Sequence, residues 1–384
     1  MKKHYCFITD GYPYKESNHC VFVRELVAQL VKEGVQCSVI APVMTRPGKK
    51  VNIPYHYTDV IDVEHTVDVY RPTFIHFSSK PGLMGVSSLL HVKAVKNVIE
   101  KENLRPDVIY GHFIYQNGLS AIAVAKKHNC SAYIACGENT HRLEKGSIPY
   151  SVGLKWHGWR KKLKHVSGMI CVSGVNRDML LSNGFVDENT KMCVIPNAVD
   201  TKTFCVTDKK EAREKLGFPE NEFIAVFVGA FCDRKGNLRV DKALAEDKDV
   251  RTVFIGKGAE FSPKSNCLFC GSVKHDELPA YLNAADVFVL PTTGEGCCNA
   301  IIEAVCCGLP VVSSEDSFND DILDDSYSIR INSMNVMQIR DAVSKLKNDR
   351  TLLEKMHNNA IEASETFSIE ERARKILRFI NDKG

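Results

Sequence analysis

Thr293-Gly294-Glu295-Gly296-Cys297-Cys298-Asn299-Ala300-Ile301-Ile302-Glu303-Ala304 sets two carboxylates eight positions apart across a change of secondary structure. Glu295 falls in a glycine-flanked turn after the apolar, strand-like run Val287–Leu290, and Glu303 falls one to two turns into the helix predicted to follow. Strand, glycine-rich turn and helix start together make an anion site. Glycine lets backbone approach a ligand closely, and the first N–H groups of a helix lack intrahelical acceptors. Two acids there do not suit a ligand that is only an anion. They suit one that carries a diphosphate at one end and hydroxyls at the other. Carboxylates accept from ribose and sugar hydroxyls, while N–H groups and the helix dipole hold phosphates. That chemistry is the chemistry of a nucleotide-sugar.

Outward from this stretch, short apolar runs alternate with amphipathic segments, the pattern of a doubly wound α/β architecture. His4–Thr9, Cys37–Ala41, Asp107–Tyr110, Ala132–Cys136, Met169–Val172 and Met192–Ile195 read as strands of a first unit. Val23, Leu26, Val27, Leu30 and Val31 mark one face of a helix. Phe223–Val228, Thr252–Ile255, Val287–Leu290 and Val311–Ser313 read as strands of a second, with helices over Leu238–Ala245, His275–Asn283 and Ala300–Cys307. Two more helices are expected in the tail, the last opened by the capping box Ser368-Ile369-Glu370-Glu371.

A length of 384 residues favours two domains. The net charge of +3 gives no footprint for nucleic acid. No run of 18 apolar residues is present to span a membrane, and Asp10 interrupts the apolar start too early for a signal peptide. The fifteen cysteines are scattered, with Cys6, Cys37, Cys171 and Cys193 among Val and Ile, as small buried hydrophobes of a reducing cytosol would be. Cys267-Leu268-Phe269-Cys270 has the spacing of metal ligands but no second pair at a zinc-like distance, so no metal site is expected. The acidic stretch Glu315–Asp325 reads as a solvated loop.

The stretch Thr293–Ala304, with Glu295 and Glu303, resembles the E-x7-E signature of retaining glycosyltransferase family 4, and the resemblance covers most of the chain. Val194-Ile195-Pro196-Asn197-Ala198-Val199-Asp200 with Phe204 is similar to that family's inter-domain segment. Val228-Gly229 with Arg234-Lys235-Gly236 is similar to its diphosphate-binding turn. Ala304–Pro310 followed by Val311-Val312-Ser313 is similar to its helix exit, and Tyr281–Leu290 to the run before the acidic motif.

The resemblance implies the GT-B fold, two Rossmann-like doubly wound domains facing a central cleft. Residues 1–197 would form the acceptor-side domain, with a C-terminal helix at about 368–384 packing back on it, and residues 198–367 the donor-binding domain. It implies a retaining, metal-independent transferase that needs no cofactor. The co-substrate would be a UDP- or GDP-linked sugar, and the acceptor a glycan or lipid-linked glycan in surface polysaccharide or glycolipid assembly. Lys235 and Arg234 would serve the departing diphosphate. Glu295, with N–H groups of Gly296 and Cys297, would hold the transferred sugar. Glu303 would hold the ribose, with Gly229 and Cys298 beside the donor.

Departures from the family's pattern concern the rest of the site. Ala230 stands where Arg often follows the Val-Gly pair, leaving Arg234 to supply the second cation. Cys136, in Ile134-Ala135-Cys136-Gly137-Glu138-Asn139, stands at the position of a histidine that faces the donor sugar, and Glu138 is a candidate for acceptor or sugar contact. His112 ends the preceding strand as either a site residue or a packed one. Ser17 and Asn18 stand where a glycine pair usually lies under the donor phosphates. Ser173 is either a site residue or a helix N-cap. The alternative reading is a non-catalytic sugar-nucleotide-binding partner of the same fold. A dinucleotide-dependent oxidoreductase is a poor third option, for want of a strand followed by a G-x-G-x-x-G turn with an acid about 20 positions on. Lys155–His165, with both tryptophans among cations, reads as a solvated helix end or as a peripheral contact with the inner face of the cell membrane from the cytoplasm.

Overall fold

A computed structural model describes residues 2–15, 20–46, 48–49, 51–77, 81–138, 140–144, 146–147 and 158–382. Ser17 and Asn18 lie outside the described residues, as do Lys155, Trp156 and His157 of the basic run. The chain forms two compact units, Met1–Ile195 with Arg372–Gly384, and Pro196–Glu371.

The first unit contains β1 (His4–Ile8), β2 (Gln36–Ile40), β3 (Val43–Thr45), β4 (His56–Val60), β5 (Thr66–Tyr70), β6 (Thr73–Ile75), β7 (Val108–His112), β8 (Ser131–Cys136), β9 (Gly168–Cys171) and β10 (Met192–Val194). Eight of these make one sheet in the order β10-β9-β8-β7-β1-β2-β5-β4, and β3 pairs with β6. Every pairing is parallel except β4 with β5. β1 and β7 are buried along their whole length, which is why they read as continuous apolar runs rather than alternating ones. The helix Val21–Lys32 buries Val23, Leu26, Val27, Leu30 and Val31, the stripe its sequence predicts. From β1 the sheet extends on one side through β2, β5 and β4 and on the other to β7, so strand order reverses between β1 and β7.

The second unit contains β11 (Phe223–Val228), β12 (Val250–Ile255), β13 (Cys267–Gly271), β14 (Val287–Leu290), β15 (Val311–Ser314) and β16 (Ser328–Ile331). They form one parallel sheet in the order β13-β12-β11-β14-β15-β16, with the reversal between β11 and β14. Its core joins Val226, Phe227, Phe254 and Phe288 of the sheet to Leu244, Ile301, Ile302 and Val343 of the covering helices.

Cys267 and Cys270 fall on β13, where a register shift between them pairs Cys267 with Thr252 and Cys270 with Phe254. One expectation needs correction. The tail has three helices rather than two: Val336–Asn348, Arg350–Ser364 and Ile369–Asn381. Asp349 divides the first two because its non-helical backbone ends one, while its carboxylate accepts from Leu352 N at 2.9 Å and starts the next. Ser368 does open the last helix, its Oγ accepting from Glu371 N at 3.2 Å. That helix belongs to the first unit from Arg372 onward. Tyr133 Oη donates to Ile380 O at 3.1 Å, and a Cβ on Gly168 would stand 2.9 Å from the Phe379 ring.

Candidate active site

Open parallel sheets bind ligands beyond the carboxyl ends of their strands, where the strand order reverses. In the second unit that place lies beyond β11 and β14, and the turns that leave these strands carry the sequence-predicted residues. Beyond β14, Pro291-Thr292-Thr293-Gly294 leads to Glu295. Beyond β11, Gly229 leads to Arg234 and Lys235. Thr293 N donates to Arg234 O at 2.9 Å, which ties the two turns together. Gly236 closes the second turn with φ +82°, and a Cβ there would meet Pro291 O at 2.9 Å, so both conformation and space require glycine. Gly229 lies so close to Gly256 that a Cβ on Gly256 would stand 1.9 Å from Gly229 O.

The fold brings Glu295, Lys235 and Arg234 into one cluster. Lys235 Nζ lies 2.7 Å from Glu295 Oε1, Arg234 Nη1 donates to the same oxygen, and Thr292 Oγ1 donates to it at 2.9 Å. Arg234 Nη1 also reaches Gly294 O at 2.7 Å. The Lys235 side chain is 13% exposed, not that of a solvated loop lysine. Burial works against its charge, but Cys298 and Glu295 outweigh burial and hold its pKa above the usual lysine value. Cys298, 3.8 Å from Lys235 Nζ, has its own pKa raised by burial, against the lowering effect of the Lys235 cation. Two cations around one carboxylate leave one positive charge in excess, and the charges are already oriented before a ligand arrives.

Cys298 precedes the helix Asn299–Cys306 and gives it no side-chain cap, so the first N–H groups keep no serine or aspartate acceptor. Asn197 Nδ2 donates to Asn299 Oδ1 at 2.8 Å, and Asn197 N to Cys297 Sγ at 3.4 Å, fixing the turn that holds Gly296. Glu303 is buried on this helix, with Oε1 3.2 Å from His275 Nε2. The His275 ring packs edge-on to Phe204 at 5.1 Å. Thr292, His275 and the Asn197–Asn299 pair escaped the sequence reading. None carries a local pattern, and the sequence places His275 in a helix that begins only at Leu278.

In the first unit, the candidates gather where β7, β8 and β9 end. His112 is buried, with Nδ1 unpartnered; burial pulls its pKa down to about 3, and the ring is neutral. Phe113 has φ +73° and Gln116 φ +62°, so the turn after β7 is strained at two non-glycine residues. Glu138 holds that turn: its Oε1 accepts from Ile114 N at 2.5 Å. Burial is the main influence on Glu138 and raises its pKa to about 7, against the Ile114 N–H that favours the carboxylate. The expectation for Cys136 is corrected. It is 0% exposed, and Asn176 Nδ2 points at its sulfur from 3.6 Å, so the thiol is packed inside rather than offered to a sugar. Ser173 is the N-cap of Gly174–Ser182, accepting from Asn176 N. In the basic run, Gly158 with φ +56° starts the short helix Trp159–Leu163, which buries Leu163, while Lys164 stands 3.7 Å from Asp187. No described helix is long and apolar enough to cross a membrane.

Comparison with known proteins gives this geometry a context. Residues 208–363 match the model of glycosyl transferases group 1, and residues 21–203 that of Glycosyltransferase Family 4. The chain is 24% identical over 357 residues to the teichuronic acid biosynthesis glycosyltransferase TuaC of Bacillus subtilis (strain 168), covering 90% of this chain and 89% of that one. It is 28% identical over 235 residues to the UDP-Gal:alpha-D-GlcNAc-diphosphoundecaprenol alpha-1,3-galactosyltransferase of Escherichia coli, covering 56% and 59%. Among solved structures, the sucrose-phosphate synthase of Thermosynechococcus elongatus superposes with a TM-score of 0.79 at 18% identity, covering 99% of this chain and 98% of that one. The fold is GT-B, two Rossmann-like units in one chain, and the two matched models account for both of them. The chain is therefore a glycosyltransferase of the GT4 type.

Proposed function

We propose that this enzyme transfers a sugar, with retention of anomeric configuration and without a metal ion, from a UDP- or GDP-linked donor to a hydroxyl of a glycan or lipid-linked glycan. The observation that carries the reading is the cluster of Lys235, Arg234 and Glu295 beside the uncapped start of the helix Asn299–Cys306. The N–H groups and the two cations receive the diphosphate. Glu303 receives the ribose hydroxyls, and Glu295 the hydroxyls of the sugar. As the bond from the anomeric carbon to the diphosphate oxygen breaks, negative charge grows on the leaving group, and Lys235 and Arg234 stabilise it. The acceptor oxygen bonds to the same face of that carbon and gives its proton to a phosphate oxygen. Two cations supply the charge that a divalent ion supplies elsewhere.

The E. coli relative's donor is UDP-linked and its acceptor a sugar on a lipid diphosphate. A polysaccharide or glycolipid acceptor met at the inner face of the cell membrane fits that relationship. The test is a panel of UDP- and GDP-sugars offered with a synthetic sugar–lipid diphosphate, with the product's anomeric configuration read by NMR and the rate measured with and without EDTA. Retained configuration and an unchanged rate are expected. An inverted product, or activity lost to EDTA and restored by manganese, overturns the reading.

A further inference from the structure

Beyond the carboxyl ends of β1, β2, β5 and β7, the first unit contains a pocket of about 610 Å³, within the usual size of small-molecule sites. Met44, Phe74 and Met84 give it an apolar wall, and Arg71, His76 and Arg142 line it as well. Against these two guanidiniums stands one acid among the described lining residues, Asp10, whose Oδ1 accepts from Asn117 Nδ2 at 2.7 Å.

Arg71 is only 9% exposed, yet it enters no ion pair among the described residues. Its Nη2 donates to Tyr12 O, and its guanidinium carbon lies 5.5 Å from the Tyr14 ring centroid and 5.7 Å from that of Tyr57. These contacts fix the plane of the guanidinium without neutralising it, and Nε has no hydrogen-bond partner. Arg213 and Arg239, also deeply buried, are different: Arg213 is paired with Asp286 and Arg239 with Asp233. A buried charge without a counter-charge is costly, and an anion that accepts from the planar fork removes that cost. His76 adds a second lining group with a buried, unpartnered nitrogen, Nδ1.

We propose that this pocket takes an acidic group of the acceptor, a carboxylate or a phosphate, with Arg71 as its ligand and His76 as a second donor. The proposal rests on the reading of the chain as a transferase whose acceptor is received by the first unit. The apolar wall then carries the rest of the acceptor, and a neutral glycan is discriminated against because it leaves Arg71 unpaired.

Calorimetric titration of the full chain with N-acetylglucosamine 1-phosphate, methyl glucuronide and neutral N-acetylglucosamine tests it, and also separates phosphate from carboxylate. One of the two anionic probes should bind about tenfold or more tightly than the neutral sugar. Arg71→Gln should remove that preference while leaving UDP binding in the second unit unchanged. If Arg71→Gln does not fold, His76→Ala carries the same test, with a several-fold loss of the preference. Equal binding of all three probes, no binding of any, or a preference that survives both substitutions overturns the proposal. Failure of the parent to bind UDP would instead sink the transferase reading, so the two failures are distinguishable.

Discussion

Glu295 is the anion that Lys235 and Arg234 share, and a diphosphate would compete with it for the same two cations. That competition separates the roles of the two acids in the motif. Removing Glu295 relieves it, so Glu295→Ala should bind UDP at least as tightly as the parent and yet turn over poorly, because the hydroxyls of the sugar lose their acceptor. Glu303 lies away from this contest, against His275. Glu303→Ala should weaken UDP by roughly 1.5–3 kcal/mol, the usual worth of a charged hydrogen bond. Calorimetry with UDP and turnover with UDP-sugar check both. Weaker UDP binding in Glu295→Ala, or unaltered binding in Glu303→Ala, would exchange or remove the assigned roles.

At the scale of elements, what could be read from the sequence follows the depth of each segment. β11 and β14 were bounded correctly because their residues are buried on both faces and bracketed by turn residues. β4 and β16 escaped, the first an edge strand with polar residues on both sides, the second a four-residue edge strand with two isoleucines. Within the candidate site, a glycine-flanked turn and a helix start mark Glu295 and Glu303 in the sequence, while Lys235 is marked by the resemblance of its turn to a diphosphate-binding one. Arg234 was legible only as a substitute, on charge, and the structure shows how it reaches: its guanidinium folds onto Gly294 and Glu295 of the neighbouring turn. His275 and Thr292 were not legible, because their partners are distant in sequence or are a carboxylate already given another role.

The strained turn after β7 gives its own prediction. Glu138 has a folded-state pKa of about 7, well above the ordinary carboxyl value. A raised pKa stabilises the fold fully below the unfolded value, and that stability is lost as pH climbs through about 7. The depressed pKa values of His112 and His91 give an opposite slope below their ordinary value, common to parent and variant. Glu138→Gln keeps an oxygen for Ile114 N and does not ionise. Its stability relative to the parent should therefore rise by about 2 kcal/mol between pH 5 and pH 8. Urea unfolding at both pH values measures this, and a difference independent of pH would mean that Glu138 titrates like a solvent-exposed acid.

At the scale of the whole molecule, the first unit is discontinuous in sequence. Its last piece arrives after the complete second unit, as the helix segment from Arg372 that buries Ala373, Ile376 and Ile380 and brings Phe379 to Gly168 and Tyr133. During synthesis at the ordinary pace of roughly 5–20 residues per second, residues 196–371 take about 10–35 s to emerge. Through that interval the nascent sheet of the first unit waits on the ribosome with the seat of its closing helix bare. Apolar surface exposed for so long invites chaperones or clumping. A chain stopped at Glu371 should therefore partition to the insoluble fraction on expression, while the isolated segment from Pro196 to Glu371 should stay in solution and still bind UDP. Equal solubility of the shortened and full-length chains would show that the nascent first unit can wait safely without its last helix.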